Sequence, residues 1–233
     1  MGKRSSRNES RYLANPVWGS CTRRAFIKAG ALAVPGLLAG RVARGAAVKR
    51  SLPVVDLGFI SAELTLVPRD EWASTKPKPW LLREAGVFDR LTVHHAGLAV
   101  NKHTIKNAVM NDLQNIQAGH IDKKYADIGY HLVVDYAGRV WEGRSLAYEG
   151  AHVAGQNEHN IAVMLLGNFE EQRASDEQVA TMVRLVGLLR KQYDIKAHRV
   201  YGHRDLGPSA CPGKNVYPYL AKLKSPKKTG GVE

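Results

Sequence analysis

Apolar and polar positions alternate over Leu91-Thr92-Val93-His94-His95, and this period of two predicts a strand with Thr92 and His94 on one face and Val93 and His95 on the other. Only one histidine of the pair can then point into a given site. From Thr104 to Ala118 the spacing changes: Ile105, Val109, Leu113 and Ile116 recur every three to four residues, which predicts an amphipathic helix with Gly119 as its stop. Two strand-like segments follow, 128–135 and 139–142, joined by Tyr136-Ala137-Gly138, a short hairpin loop with glycine at the left-handed position. The run 161–167 is apolar throughout, as expected of a central strand buried on both faces. Ser175 and Gln178 form a capping-box pattern ahead of a second helix, whose face carries Val179, Met182, Val186, Leu189 and Tyr193. Interleaved strands and helices of this kind predict an α/β domain, with a central mixed sheet of five or six strands flanked by about three helices.

The 233 residues carry 44% hydrophobic and 24% charged side chains, close to the globular average, which excludes a fully disordered chain, a collagen-like repeat and a multi-span membrane protein. The net charge of +13 suggests a nucleic-acid partner only until it is divided along the chain. Nine of the 34 Lys and Arg residues lie in residues 1–47 against the single acid Glu9, so the remainder carries about +5, a mild attraction for anionic polymers, and no nucleic-acid-binding motif accompanies it.

Residues 1–47 have the three-part layout of an export signal: a basic stretch to Lys28, an uncharged apolar core from Ala29 to Gly40, and small residues ending at Gly45-Ala46-Ala47. Twelve apolar residues broken by Pro35 and Gly36 are too few to span a bilayer, so no permanent anchor is expected. Thr22-Arg23-Arg24-Ala25-Phe26-Ile27-Lys28 resembles the twin-arginine signal, an address read by the twin-arginine translocase, and places the mature chain in the periplasm or outside the cell. Residues 48–65 read as a linker, 66–222 as the folded domain and 223–233 as a basic, solvated tail. Cys21 leaves with the signal, so Cys211 is the lone thiol of the mature chain; no intramolecular disulfide can form, and metal coordination is one explanation for it.

All nine histidines fall between residues 94 and 203, just ahead of Cys211, a clustering that points to a metal site. His203 and Cys211 frame a segment punctuated by Gly207 and Pro208 that could fold back so both side chains reach one ion. With His94 they would supply three N/S ligands, and three protein ligands plus an open position is the pattern of catalytic zinc.

Several motifs in order resemble those of the peptidoglycan recognition proteins and the zinc-dependent N-acetylmuramoyl-L-alanine amidases: Arg69-Asp70-Glu71-Trp72, Val93-His94-His95-Ala96-Gly97, Asp127-Ile128-Gly129-Tyr130-His131, Trp141-Glu142-Gly143-Arg144, Gly150-Ala151-His152 and Gly202-His203-Arg204 through Cys211-Pro212-Gly213. The resemblance covers about residues 66–222. It implies a Zn2+ ion held by His94, His203 and Cys211, Tyr130 as the catalytic tyrosine, and hydrolysis of the amide between N-acetylmuramic acid and L-alanine in peptidoglycan. Ser209 stands where this family places a lysine or threonine that stabilises the transition state; a serine hydroxyl can donate a hydrogen bond but brings no charge. In the resembling proteins an arginine at the position of Arg144 favours stem peptides with diaminopimelate. The accompanying Gly-Trp pair is replaced here by Lys124 and Tyr125, and Lys124 could itself meet a carboxylate. His152 either contacts substrate, shuttles a proton or bonds its own loop, and His120 borders the groove. No glutamate occurs in Ile161-Ala162-Val163-Met164, where some related amidases carry one, so the general base stays open. Some members of the family bind peptidoglycan or muropeptides without cutting them, typically after losing the cysteine or the tyrosine; a non-catalytic recognition module is therefore the alternative to an enzyme. The protein is read as a monomer.

Overall fold

The computed structural model describes residues 55–224; the signal, and with it Cys21, lies outside them. The elements in order are α1 (Gly58–Ser61), β1 (Leu66–Val67), β2 (Arg90–His95), α2 (Lys106–Asp122), β3 (Leu132–Val134), β4 (Val140–Glu142), β5 (Asn160–Leu165), α3 (Asp176–Gln192), β6 (Val200–Gly202) and α4 (Tyr217–Lys224). The strands form one six-stranded sheet ordered β1-β4-β3-β5-β2-β6, in which only the β3–β4 hairpin is antiparallel. The parallel strands β2 and β5 lie inside this sheet and are apolar on the face that α3 covers: Leu91, Val93, Ile161, Val163 and Leu165 pack with Met182, Leu185, Val186 and Leu189 of the helix. Ile60 of α1 and Leu220 of α4 join the same cluster. On the opposite face Val109 and Leu113 of α2 pack on Val133, Trp141 and Met164. β2 and β6 add nothing to that second cluster. Their residues on its face are Thr92, His94 and Tyr201, so the sheet surface beside α2 is polar where these two strands run.

Two polar residues hold the hairpin and α3 in place. Asp135, fully buried, accepts from the amides of Ala137 and Arg139, from Arg139 Nε at 2.6 Å and from Trp141 Nε1 at 2.8 Å, which satisfies both carboxylate oxygens. Gly138 takes φ +80° at the loop's left-handed position. Ser175 caps α3 by accepting from the Gln178 amide at 3.0 Å. The reciprocal half of the capping box is not made, because the Gln178 amide group turns inward and donates to the carbonyls of Val134 and Leu166.

Several boundaries differ from those read in the sequence. The segment taken as a linker already contributes α1 with its buried Ile60, and at the other end α4 continues through Leu223, which packs on the core, to Lys224. Among the described residues the α-helices therefore number four, and β3 covers only Leu132–Val134, toward the end of the predicted segment 128–135. Ile105 is 72% exposed because it is the extended residue before α2 rather than part of its face.

Gly119 does not stop α2. A Cβ there would meet open space, and the helix runs on to Asp122. It ends at Lys124, whose φ is +67°; the Lys124 amide bonds Ile121 O at 2.9 Å and the Tyr125 amide bonds His120 O at 3.0 Å. This is the two-bond left-handed ending that usually recruits glycine, with Tyr125 and His120 in ring contact across it. A lysine in that conformation costs on the order of 1 kcal/mol relative to glycine. Lys124→Gly should therefore raise the unfolding free energy by up to about 1 kcal/mol, read as a shifted urea midpoint at constant m-value; an unchanged or lower midpoint would contradict the assignment of strain to this residue.

Candidate metal centre and its groove

Strand register sets the first two candidate ligands side by side. β2 and β6 pair in parallel with Val93 opposite Gly202, so His203, the next residue after β6, stands beside His94, and their rings lie 4.9 Å apart. On the other side His94 pairs with Met164 of β5, so neither strand position flanking it carries a carboxylate. Cys211 returns to them because the loop after His203 closes on itself: the Arg204 amide donates to Cys211 O at 2.9 Å. The thiol sulfur then lies 3.6 Å from His94 Nδ1 and accepts from the His95 amide at 3.3 Å. Ligand atoms of His94, His203 and Cys211 all fall within 4.8 Å of one another.

These residues fit a zinc ion on two grounds. Tetrahedral zinc with ordinary Zn–S and Zn–N bonds spaces those two ligand atoms about 3.6 Å apart, the Sγ to Nδ1 distance found here. The donors are also poorly served without a cation. Burial pushes the Cys211 thiol up to about 12, and burial with His152, His203 and His95 nearby holds His94 well below the ordinary imidazole range. A neutral imidazole and a thiol that needs a cation to ionise are the chemistry of a metal site, whereas a reactive cysteine would be expected to have a lowered pKa.

Tyr130 enters from the segment between α2 and β3, with its ring 5.3 Å from that of His94 and 5.6 Å from that of His120. Its position is set by a buried knot. Asp127 Oδ1 accepts from Arg69 Nη2 at 3.0 Å and Gln117 Nε2 at 2.9 Å, while Arg69 Nη1 donates to Gly143 O and Trp72 Nε1 to Glu142 O. The Arg69–Trp72 motif thus ties the Tyr130 segment to the end of β4. Burial, with Cys211 and Tyr125 beside it, raises the Tyr130 phenol well above its usual value, so it remains a donor, and its hydroxyl makes no hydrogen bond among the described residues.

The other candidate residues fall in different places. His120 and Tyr130 share a cavity of about 230 Å³ with Leu98, Ile116 and Lys123. Lys124, Tyr125 and Arg144 line a second, of about 360 Å³, with Arg83 and Glu149. Arg144 forms no surface ion pair; it is buried, and its guanidinium donates to the carbonyls of Ile128, Glu149 and Asp127, leaving two of its five N–H groups for a ligand. His120 Nδ1 accepts from the Gly129 amide, and burial lowers its pKa to about 4. Ser209 and His152 line neither cavity. Ser209 Oγ accepts from the Cys211 amide at 3.1 Å, and His152 Nδ1 lies 2.9 Å from His94 Nε2. His95 turns away from the cluster and accepts from the Phe169 amide. Sequence reading missed Asp127 and Gln117 as supports; the only signal was the position of Asp127 three residues before Tyr130.

Fold and site together define a mixed α/β domain that carries a His–His–Cys donor cluster and a free phenol beside surface cavities. The chain belongs to the N-acetylmuramoyl-L-alanine amidase family, whose sequence model matches residues 84–214. It is 32% identical over 158 residues to peptidoglycan-recognition protein SC2 of Drosophila melanogaster, spanning 66% of this chain and 83% of that relative. The crystal structure of Drosophila peptidoglycan recognition protein SD superposes with a TM-score of 0.62 at 25% identity, over 69% of this chain and 95% of that one. The N-acetylmuramoyl-L-alanine amidase LysC of Clostridium intestinale shares the fold, with a TM-score of 0.57 at 22% identity over 70% of this chain and 99% of that one.

His131, behind the site, is fully buried; its Nδ1 accepts from the Ala162 amide and its Nε2–H donates to Tyr148 O, and burial lowers its pKa to about 4. An unfolded histidine titrates near 6.5, so between those values the unfolded chain binds more protons. Stability is then full above about pH 6.5 and falls as pH drops, by about 2.5 kcal/mol at pH 4.5 from this group. Urea unfolding at about pH 7 and about pH 4.5 should show more than that loss, because His120, His94 and His152 are lowered as well, and His131→Gln should shrink the difference by about 2.5 kcal/mol; an equal loss in the variant would assign the acid sensitivity wholly to the other histidines.

Proposed function

We propose that the protein is an exported, zinc-dependent N-acetylmuramoyl-L-alanine amidase acting on peptidoglycan or its muropeptides. The observation that carries this reading is the convergence of His94, His203 and Cys211 next to the unpaired hydroxyl of Tyr130. A zinc ion bound there supplies a Lewis acid for the scissile carbonyl and lowers the pKa of bound water toward about 7. The chain's own residues supply the rest. Tyr130, kept protonated by burial, donates toward the oxyanion that develops when the muramoyl amide is attacked. Ser209, whose oxygen accepts from the Cys211 amide, keeps its own hydroxyl proton to donate on the same loop.

Substrate choice is assigned to the cavity around Arg144. The two free N–H groups of that guanidinium and the Lys124 ammonium suit the carboxylates of a stem peptide, and diaminopimelate carries one more than lysine does. His120 and Tyr125, in ring contact, stand between the two cavities. The twin-arginine signal read in residues 1–47 supports delivery to the periplasm or the exterior, where this substrate lies. Among the described residues no helix is long and apolar enough to cross a membrane. A recognition module without catalysis would retain the groove but not need both the thiol and the phenol, and this chain has both.

Purified protein loaded with one equivalent of zinc should release intact stem peptides beginning at L-alanine from muropeptides, read by mass spectrometry. Cys211→Ala should abolish release together with zinc retention, and Tyr130→Phe should lower kcat by about 10²–10³ while leaving zinc bound. Muropeptide binding without release by the zinc-loaded wild type would establish the recognition module instead.

A further inference from the structure

His152 stands where substrate contact, proton transfer and structural support are all conceivable, and its hydrogen bonds decide between them. Its Nε2 lies 3.3 Å from the carbonyl oxygen of Asn160, and a carbonyl can only accept, so Nε2 carries the proton. Its Nδ1 lies 2.9 Å from His94 Nε2. With the His152 ring neutral, Nδ1 is a lone pair and His94 Nε2–H must be the donor. His94 Nδ1 is then also a lone pair, and it is the atom that faces Cys211 at 3.6 Å. The direction of every bond in the path Asn160, His152, His94 is therefore fixed by the backbone carbonyl at its end.

The His152 ring is itself held. Its amide donates to Asn157 Oδ1 at 2.8 Å, and it packs so close to Gly150 that a Cβ there would come within 2.5 Å of His152 Cδ2. Asn157 Oδ1 also takes the Val153 amide, and Asn160 is tied to Thr92 Oγ1 on β2, the strand that carries His94. The glycine of the Gly150-Ala151-His152 motif thus has a packing reason, since any larger residue would push the imidazole off His94.

We infer that His152 is a positioning residue, which locks His94 in the Nε2–H tautomer and turns Nδ1 toward His203 and Cys211. Histidine metal ligands generally donate their second nitrogen to a carboxylate, carbonyl or water; here an imidazole is interposed between ligand and carbonyl. Both nitrogens of His152 are engaged, and the path ends on a carbonyl that can neither give nor take a proton. His152 is thereby excluded as a proton shuttle in this arrangement. The inference rests on His94 being a metal ligand, as proposed above, but its tautomer component stands without the metal.

The test uses full-length protein labelled with 15N-histidine and compares wild type, His152→Ala and His152→Asn, whose Oδ1 can take the place of the Nδ1 acceptor. In metal-free wild type, two-bond 15N–1H correlation should show His94 as the Nε2–H tautomer alone. His152→Ala should mix the two tautomers and weaken zinc binding by about 10–100-fold in chelator competition, and His152→Asn should restore the single tautomer and most of the affinity. An unchanged tautomer and zinc affinity in His152→Ala would overturn the inference, as would equal losses in Ala and Asn, which would mean that ring bulk alone matters. A raised KM with unaltered zinc affinity would overturn it in favour of a substrate contact. Failure of the wild type to hold zinc would sink the amidase reading, while the metal-free tautomer comparison would still decide the role of His152.

Discussion

The parallel pairing of β2 with β6 is the constraint on which the centre depends. Because Val93 opposes Gly202, the chain leaves β6 one residue before the position abreast of His94, and that position is His203. A slip of one residue would bring Arg204 or Gly202 beside His94 and turn the side chains to the other face. The register is held from both sides. Leu91, Val93 and Val200 are buried against α3 and its neighbours, where their displacement would expose apolar surface worth roughly 25 cal/mol per Å². The hydrophobic layer on one face of the sheet thus positions the polar layer on the other.

That polar layer works by withholding charge. His94, His131 and His152 lie close together without a carboxylate among them, and burial keeps all three neutral. His131 bonds the Ala162 amide and Tyr148 carbonyl, and His152 bonds the Asn160 carbonyl on one side and His94 on the other. Backbone partners do not titrate and cannot swing away, so ring orientations are inherited from the sheet. The negative charge in the neighbourhood is placed elsewhere, in Asp127, whose oxygen is shared by Arg69 and Gln117, and in Asp135, consumed by the hairpin. A cation entering among His94, His203 and Cys211 would find one ionisable sulfur and no competing carboxylate, which favours zinc over the harder divalent ions.

What the sequence disclosed and what it concealed follow from the range of each interaction. Strand alternation at 91–95, the apolar run of β5 and the Ser175 cap are local, and each was legible from a few neighbouring residues. The grouping of His94, His203 and Cys211 spans more than a hundred positions, and spacing alone gave only a loop that could close; the ordered motifs supplied the rest. Gly119 misled because glycine is a good stop only where the backbone turns left-handed, and that turn falls five residues later on a lysine. Arg144 was singled out through the resemblance alone, and nothing in the sequence showed that three backbone carbonyls hold it inside the domain. Carbonyl partners leave no mark in a sequence, so the role of His152 was equally invisible.

Three departures from local stability lie around the groove, beside others elsewhere such as the positive φ of Asp194 and the unpaired Gln178 Oε1. Lys124 takes a backbone conformation suited to glycine, Tyr130 keeps a phenol without a partner, and Cys211 buries a thiol among imidazoles. Each is unfavourable for folding considered alone, and of the three the Cys211 sulfur accepts one hydrogen bond, from the His95 amide, whereas Asp135 and His131 are buried polar groups satisfied in full. Unsatisfied groups that persist beside fully satisfied ones are accounted for when their partners arrive from outside the chain. On the function proposed above, that partner would be a cation for Cys211, an oxygen acquiring negative charge for Tyr130, and an anionic group for Lys124 in the cavity it shares with Arg144. On that reading the three requirements would meet in a metal-assisted attack on an amide whose substrate carries carboxylates, at a centre positioned by the register of β2 and β6.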